Sequence, residues 1–224
     1  MKQLIALETS GPVCSVAIHA HGAWFEHTQI VERLHNQILL EHIDRVVAAA
    51  NVSKRAFDVI AFGAGPGSFT GIRLAASAAQ ALAFSSAARV VPVSSSSALA
   101  TRCLRALPEL HDLVTVTRSR RDAYYLAGWT RTDAGMRQVY DDVLHLGDDV
   151  RLPERLSGLT GTGDCPPWWQ RGGGGAWVAT EHPDAREIGE RALVEYAHTG
   201  GVTPAAGLPR YVSGDSPWRP VRAS

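Results

Sequence analysis

Hydrophobic and polar residues alternate in short runs over the first 30 residues of the chain. Residues 4–7 are apolar, residues 13–20 alternate between two faces, and residues 23–30 follow a turn at His21 and Gly22. A period of two is typical of β-strands, and tight connections join antiparallel neighbours. The pattern therefore predicts an antiparallel meander of three strands.

After the meander the hydrophobic period lengthens to that of an α-helix. Leu39, Ile43, Val46 and Ala50 recur at helical spacing. The predicted elements are helices over residues 36–50, 70–84 and 94–107 and strands over residues 58–62 and 89–93. A meander followed by alternating helices and strands is the ribonuclease H-like arrangement of the actin-like ATPases. We therefore predict an α/β fold of two lobes, with a mixed sheet flanked by helices.

The second half of the chain is less regular. Its predicted elements are strands over residues 113–117, 123–129, 136–146 and 159–163, a glycine-rich loop over residues 166–175, a helix over residues 184–198 and a proline-rich irregular tail. A polar turn with Arg118, Arg120, Arg121 and Asp122 joins the first two of these strands. Residues 1–107 are thus predicted to form the N-terminal lobe, and residues 108–224 a smaller, degenerate second lobe that includes the last helix and the tail.

Composition narrows the function classes. Twenty-two basic residues balance 22 acidic ones, at a pI near 7.1, so the chain lacks the overall basic charge of many nucleic-acid binders. Three cysteines match no zinc or disulfide spacing and are expected to be reduced. The apolar N-terminal run is too short for a signal sequence, and residues 74–93 contain polar interruptions. We expect a cytoplasmic protein with no membrane segment.

The most distinctive stretch is GAGPGSFTGIR, over residues 63–73. Its residues of interest are Gly65, Pro66, Gly67, Ser68, Phe69, Thr70, Gly71 and Arg73. Glycine permits positive φ and close backbone approach, and Ser68 and Thr70 can accept hydrogen bonds at a helix start. A well-capped helix start and a binding turn are both compatible with this. No lysine follows Lys54, which excludes a phosphate-binding P-loop, and a dinucleotide fingerprint lacks its third glycine.

Other candidate chemistry is sparse. His35 and His42 are seven residues apart, whereas helical metal ligands lie three or four apart, so two surface or interface histidines are the better interpretation. Glu8 ends the first predicted strand beside Thr9 and Ser10. It is either a carboxylate of a nucleotide site or an acidic residue at a strand end. We predict no catalytic residue and no metal site.

GPGSFTGIR, preceded by LIALETS over residues 4–10 and followed by PVSSSSALA over residues 92–100, resembles the TsaB family, also called YeaZ. The resemblance implies an actin-like fold and a non-catalytic subunit of the complex that adds threonylcarbamoyl to adenosine 37 of tRNAs. Its implied partners are the catalytic paralogue TsaD, the small ATPase TsaE and, when the chain is alone, a second copy of itself. It further implies that tRNA is reached only through the complex.

The resemblance also implies particular sites. The partner interface would involve the first two helices, through His35, Leu39, His42, Ile43, Val46, Leu74, Ala75, Ala78 and Leu82. Glu8, Thr9 and Ser10 would be a vestigial nucleotide site, with no cofactor of the chain's own and with ATP or ADP as a ligand of an interface shared in the complex. Leu39 stands where the catalytic paralogue has its second metal-binding histidine. Three departures stand out: Glu8 replaces the usual aspartate, Arg118 stands where many members have an acidic residue, and Ser213 replaces an arginine near the end of the chain.

Two other functions stay open at this stage. One is an actin-like ATPase or phosphotransferase, or a peptidase-like enzyme, active in its own right. The other is a self-associating binding module whose partners are proteolytic targets or regulators.

Overall fold

A computed structural model describes residues 2–31, 34–133, 135–179 and 182–212. The strands are β1 (Leu4–Glu8), β2 (Val13–Ala20), β3 (Ala23–Ile30), β4 (Val59–Gly63), β5 (Arg89–Val93), β6 (Asp112–Arg120), β7 (Ala123–Thr132), β8 (Gly135–Leu146), β9 (Thr160–Gly163) and β10 (Trp177–Val178). The α-helices are α1 (His35–Ala49), α2 (Phe69–Ser86), α3 (Ser95–Ala106) and α4 (Ala185–Thr199), and single 3-10 turns occur at Glu154–Leu156 and Pro204–Ala206.

The strands form two five-stranded sheets of the same topology. The first has the order β3-β2-β1-β4-β5 and the second the order β8-β7-β6-β9-β10. In each sheet the first three strands of the sequence form an antiparallel meander and the last two are parallel to its first strand. The predicted α/β, ribonuclease H-like arrangement of the actin-like fold is confirmed, and it occurs twice.

Helices cover both faces of the first sheet. The apolar sides of α1 and α2 pack on one face, where Leu39, Ile43 and Ala79 join a core with Ile5 and Phe62. α4 packs on the other face through apolar side chains, many of them alanines. Its residues Ala185, Ile188 and Ala192 pack against Leu4, Ala6, Ala17, Val59 and Ala61 of the sheet. The sequence division put this last helix in the second lobe, but its apolar stripe is buried against the first sheet.

The second sheet is covered differently. On its inner face α3 packs against Leu113, Ala127 and Trp129. Its outer face is covered by the segment that follows β8, whose Trp168 and Trp169 are buried. The predicted loop over residues 166–175 therefore helps to cover the second sheet, as helices cover the first.

The predicted boundaries hold to within about three residues, with one informative difference. Arg118 and Arg120, which we assigned to a turn, lie in β6, and the turn itself consists of Arg121 and Asp122. The pairing of β6 with β7 shifts register between Arg118 and Arg120. Such an irregularity lengthens one strand and re-aims its side chains.

Candidate functional site

The GPGSFTG motif is a joint between α2 and the β1–β2 turn. Gly71 leaves room for the Thr9 carbonyl, since a Cβ at position 71 would lie 1.9 Å from that oxygen. At Gly67 a Cβ would lie 2.5 Å from the Ser10 carbonyl, which accepts from the Ser68 amide at 2.6 Å. The Thr9 hydroxyl in turn donates to the Gly71 carbonyl at 2.8 Å. These glycines therefore serve backbone packing between two distant segments.

The start of α2 is also fastened on its outer side. Ser68 caps the helix by accepting from the Gly71 amide. The guanidinium of Arg73 lies 3.7 Å from the centre of the Phe69 ring, and its Nε donates to the Tyr211 hydroxyl at 2.8 Å. Arg210 donates its amide to the Ala64 carbonyl at 2.8 Å. The last described segment of the chain thus runs along the motif, a contact that the local sequence pattern did not predict.

Glu8 is enclosed by its neighbours. Its side chain is 1% exposed and accepts from the Ser10 amide and from the Ser95 hydroxyl, the latter at 3.1 Å. Burial raises the pKa of this carboxyl, and the two hydrogen bonds partly oppose the effect. Thr9 and Ser10 are buried as well. All three residues of the predicted vestigial nucleotide site are used in internal hydrogen bonds.

A partly buried carboxylate, which the sequence analysis missed, lies at the start of α3. Asp142 on β8 accepts from the Ser96 hydroxyl at 2.7 Å and from Gln138 at 3.3 Å. Burial raises the pKa of Asp142 to about 6. The sequence contained a signal for this carboxylate, because exposed and less exposed residues alternate along β8 and Asp142 is at a less exposed position. It ties the edge of the second sheet to the serine-rich start of α3.

A cleft of about 560 Å³ lies between the two halves of the molecule. One side of the cleft, its first wall, consists of the β1–β2 turn, the starts of α2 and α3, and His182 and Pro183. Its second wall consists of residues 116–121 of β6 and its turn, with Gly163 at the end of β9 and Asp164 directly after it. The second wall contains Arg118, Arg120 and Arg121, all exposed.

Comparisons with known proteins identify the group to which this architecture belongs. A family model named TsaD, described as tRNA N6-adenosine threonylcarbamoyltransferase, matches residues 13–164, about two thirds of the chain. A solved structure described as YeaZ from Pseudomonas aeruginosa has a TM-score of 0.81 at 29% identity, over 95% of this chain and 100% of that one. Another, an uncharacterized Pseudomonas aeruginosa protein with similarity to peptidase YEAZ, has a TM-score of 0.84 at 30% identity and the same coverage. The chain belongs to the TsaB (YeaZ) family.

Two relatives carry the name tRNA threonylcarbamoyladenosine biosynthesis protein TsaB. That of Haemophilus influenzae is 36% identical over 137 residues, which is 61% of this chain and 51% of the relative. That of Escherichia coli K12 is 26% identical over 159 residues, which is 71% of this chain and 68% of the relative. The chain thus spans between half and two thirds of the length of these TsaB proteins.

Five of the nine residues expected at the partner interface of this TsaB-family chain are buried within the chain itself. Leu39, His42, Ile43, Val46 and Ala75 are at most 2% exposed and face the chain's own first sheet. His35, Leu74, Ala78 and Leu82 are partly buried. The stripe of Leu39, Ile43 and Val46 on α1 is a core face, because an amphipathic helix buries its apolar side on its own sheet.

The outward face of the same helices has different residues. Leu40 of α1 and Phe84 of α2 are 67% and 68% exposed. Ser77 and Ala81 of α2 are exposed as well. A partner that docks on these helices would meet this face.

Among the residues that the structure describes, the histidines and the other polar clusters form no recognisable metal centre. His42 is buried with its ring edge-on to His27, at 4.4 Å between centroids. Within the described ranges, no group of three or more His, Cys, Asp or Glu residues is arranged to hold a metal ion. In the same ranges no helix is long and apolar enough to cross a membrane. Ser213 lies outside the described residues.

Proposed function

We propose that this chain is a non-catalytic subunit in the synthesis of N6-threonylcarbamoyladenosine at position 37 of tRNA. It would act by pairing with the catalytic paralogue TsaD and activating it, with the small ATPase TsaE as a further partner and a homodimer as its form alone. The observation that carries the proposal is the family placement, together with full-length similarity to the solved YeaZ chains.

The arrangement of the polar groups supports a non-catalytic role. Glu8, the carboxylate best placed to serve a nucleotide, is enclosed by Ser10 and Ser95. Asp142 is engaged by Ser96. A general base must reach the proton that it abstracts, and neither carboxylate lines the cleft. ATP or ADP would then be a ligand of an interface shared in the complex, with no cofactor held by this chain alone.

The outward face of α1 and α2 supports pairing through these helices. Leu40 and Phe84 present large apolar side chains to solvent, and Ser77 and Ala81 are small enough for close helix approach. This surface takes the place of the buried residues among those that the family resemblance implied. Substitution of Ile43, which is 2% exposed, would unfold the chain and say nothing about pairing.

The test is the pairing of outward-face variants with the catalytic paralogue. We expect Leu40→Asp and Ala81→Arg to fold normally, to weaken association measured by calorimetry at least tenfold and to lower tRNA modification in the reconstituted system. Val194→Asp is the matched control, because Val194 is an exposed apolar residue on α4, away from this face. Equal association of all three variants, or full tRNA modification without this chain, would contradict the proposal.

A further inference from the structure

We propose that Arg73 binds a carboxylate side chain of the catalytic paralogue through its two terminal nitrogens, Nη1 and Nη2. The inference rests on the proposed pairing through the outward face of α1 and α2, and it names the chemistry of one contact in that interface. Arg73 is then the charged anchor on the α2 side of the interface.

The position of Arg73 on α2 places it on the outward face. Successive residues of an α-helix are about 100° apart, so positions 73, 77, 81 and 84 lie on one side of the helix. Arg73 is exposed, and so are Ser77 and Ala81 further along. Phe84, which is 68% exposed, ends the row. Arg73 therefore belongs to the outward face, at the end next to the GPGSFTG motif.

The guanidinium of Arg73 is held in place within the chain itself. It lies 3.7 Å from the centre of the Phe69 ring, one turn earlier on α2, and 5.7 Å from the centre of the Tyr211 ring. Its Nε donates to the Tyr211 hydroxyl at 2.8 Å. These contacts restrict a side chain that is otherwise highly flexible, so less conformational entropy is lost when it binds a partner.

The two terminal nitrogens of Arg73 are available to a ligand. In the described part of the chain no carboxylate pairs with Arg73, and its hydrogen bond is the one from Nε. Arg105 and Arg186, by contrast, are paired within the fold, with Glu187 at 3.1 Å and with Glu190 at 3.2 Å. Because Nε is occupied, Nη1 and Nη2 remain as two parallel donors, an arrangement that matches the two oxygens of a carboxylate.

The surroundings of Arg73 favour a carboxylate of a protein over a phosphate group. Arg73 is the single charged residue of α2, and its neighbours on the outward face are small or apolar. Phosphate groups are typically recognised by clusters of arginines, whereas one carboxylate balances one guanidinium. An arginine among contacts that exclude water is a common hot spot of protein interfaces.

The experiment measures association of the full chain with the purified catalytic paralogue by calorimetry. Arg73→Gln is expected to weaken association by about tenfold to a hundredfold, through loss of a charge-assisted pair of hydrogen bonds. Arg73→Lys should weaken it by at least about threefold, because lysine keeps the charge without the planar fork. Arg171→Gln is the matched control and should keep the affinity within about twofold, since Arg171 is exposed and lies between β9 and β10 of the second sheet.

Tyr211→Phe separates binding from a purely structural role of Arg73. This variant removes the hydroxyl that holds Nε but leaves the guanidinium and both rings. We expect a loss of only about threefold, since the side chain must then be ordered on binding. If Tyr211→Phe and Arg73→Gln weaken association equally, Arg73 acts only by holding the segment around Tyr211, and the proposal is wrong. Urea denaturation verifies that each variant is folded.

A charge swap tests the group that Arg73 binds. Arg73→Glu should weaken association more than Arg73→Gln, because it brings like charges together. Each exposed Asp or Glu on the paralogue's helices that pair with α1 and α2 is then changed to Arg in turn. One of these changes should restore association with Arg73→Glu, and restoration by none of them would contradict the proposal.

The inference and the proposed function fail in different ways. If Leu40→Asp and Ala81→Arg weaken association but Arg73→Gln does not, pairing through the outward face stands and the role of Arg73 is wrong. If the wild-type chain does not associate with the paralogue at all, the proposed function is wrong and the inference falls with it.

Discussion

The two walls of the cleft use polar residues in opposite ways. In the first wall the hydroxyls, amides and carboxylate around the β1–β2 turn are bound to one another, as when Thr9 donates to the Gly71 carbonyl and Ser95 to Glu8. In the second wall the arginines of β6 extend into an exposed region. The family motif therefore maintains the fold of the first wall, whereas the second wall exposes charged side chains at the cleft.

The largest expected effect comes from breaking the first wall at Gly71. Helix propensity alone would favour Gly71→Ala by about 1 kcal/mol. The new Cβ would instead meet the Thr9 carbonyl 1.9 Å away, and overpacking of this kind costs about 3 kcal/mol. Urea denaturation measures the difference. Ser77→Ala, an exposed position of the same helix, should stay within about 0.5 kcal/mol of wild type. If Gly71→Ala were more stable than wild type, the contact between α2 and the Thr9 carbonyl would have room for a Cβ.

How far the sequence could predict this wall depends on the separation of its parts. The helices and strands followed from hydrophobic periods and glycines, since these depend on neighbours a few residues away. The contact between Thr9 and Gly71 joins residues 62 positions apart, and nothing in the local pattern specifies it. For the same reason the stripe of Leu39, Ile43 and Val46 revealed an amphipathic helix without revealing that its own sheet covers that stripe.

The next largest effect is expected from the Glu8 carboxylate, which is buried behind the first wall. Glu8→Ala would leave the Ser10 amide and the Ser95 hydroxyl without their acceptor, at a cost of about 2–3 kcal/mol. Glu8→Gln keeps an accepting oxygen and should cost less than about 1 kcal/mol. Chemical denaturation of both variants tests this. The reverse order, or loss of tRNA modification in a stably folded Glu8→Gln protein, would point to a chemical role for the carboxylate.

Asp142 gives a smaller, pH-dependent effect. Its pKa is raised by burial from 3.8 to about 6, so the folded state holds the proton more tightly than the unfolded state. The free energy of unfolding should therefore fall as pH rises from about 4 to 6, by roughly 2 kcal/mol. Asp142→Asn should remove this fall, which urea titrations at pH 4.5 and 7 would detect.

The control for this pH effect is its neighbour on β8. Asp141 is exposed, so Asp141→Asn should retain the pH dependence of wild type. The raised pKa of Glu8 also makes the free energy of unfolding fall as pH rises. Because Glu8 is present in wild type and in both variants, its contribution cancels when their pH profiles are compared. Parallel pH profiles for wild type and Asp142→Asn would mean that the Asp142 carboxyl is ionised in the folded protein without penalty.

The location of Asp142 shows where sequence reasoning had a usable signal. Along β8 the less exposed residues alternate with exposed ones, and they include Met136, Gln138, Tyr140, Asp142 and Leu144. A carboxylate in such a row must be paired or neutral, which marks it for attention. Its partner Ser96 lies 46 residues away and follows only from the fold. The open second wall was less predictable, because the register shift that re-aims Arg118 and Arg120 depends on pairing with β7.

The smallest effect is expected in the second wall itself. Arg121→Ala should change the free energy of unfolding by less than about 0.5 kcal/mol, because its side chain is 91% exposed and its pair with Asp122 lies in solvent. Arg131→Ala is the contrasting control: Arg131 donates to the Leu107 carbonyl at 3.2 Å and the Leu110 carbonyl at 3.1 Å beyond the end of α3, and its loss should cost about 2 kcal/mol. If Arg121→Ala were as costly as Arg131→Ala in urea denaturation, Arg121 would be a structural residue like Arg131, and its exposure would not reflect its contribution to stability.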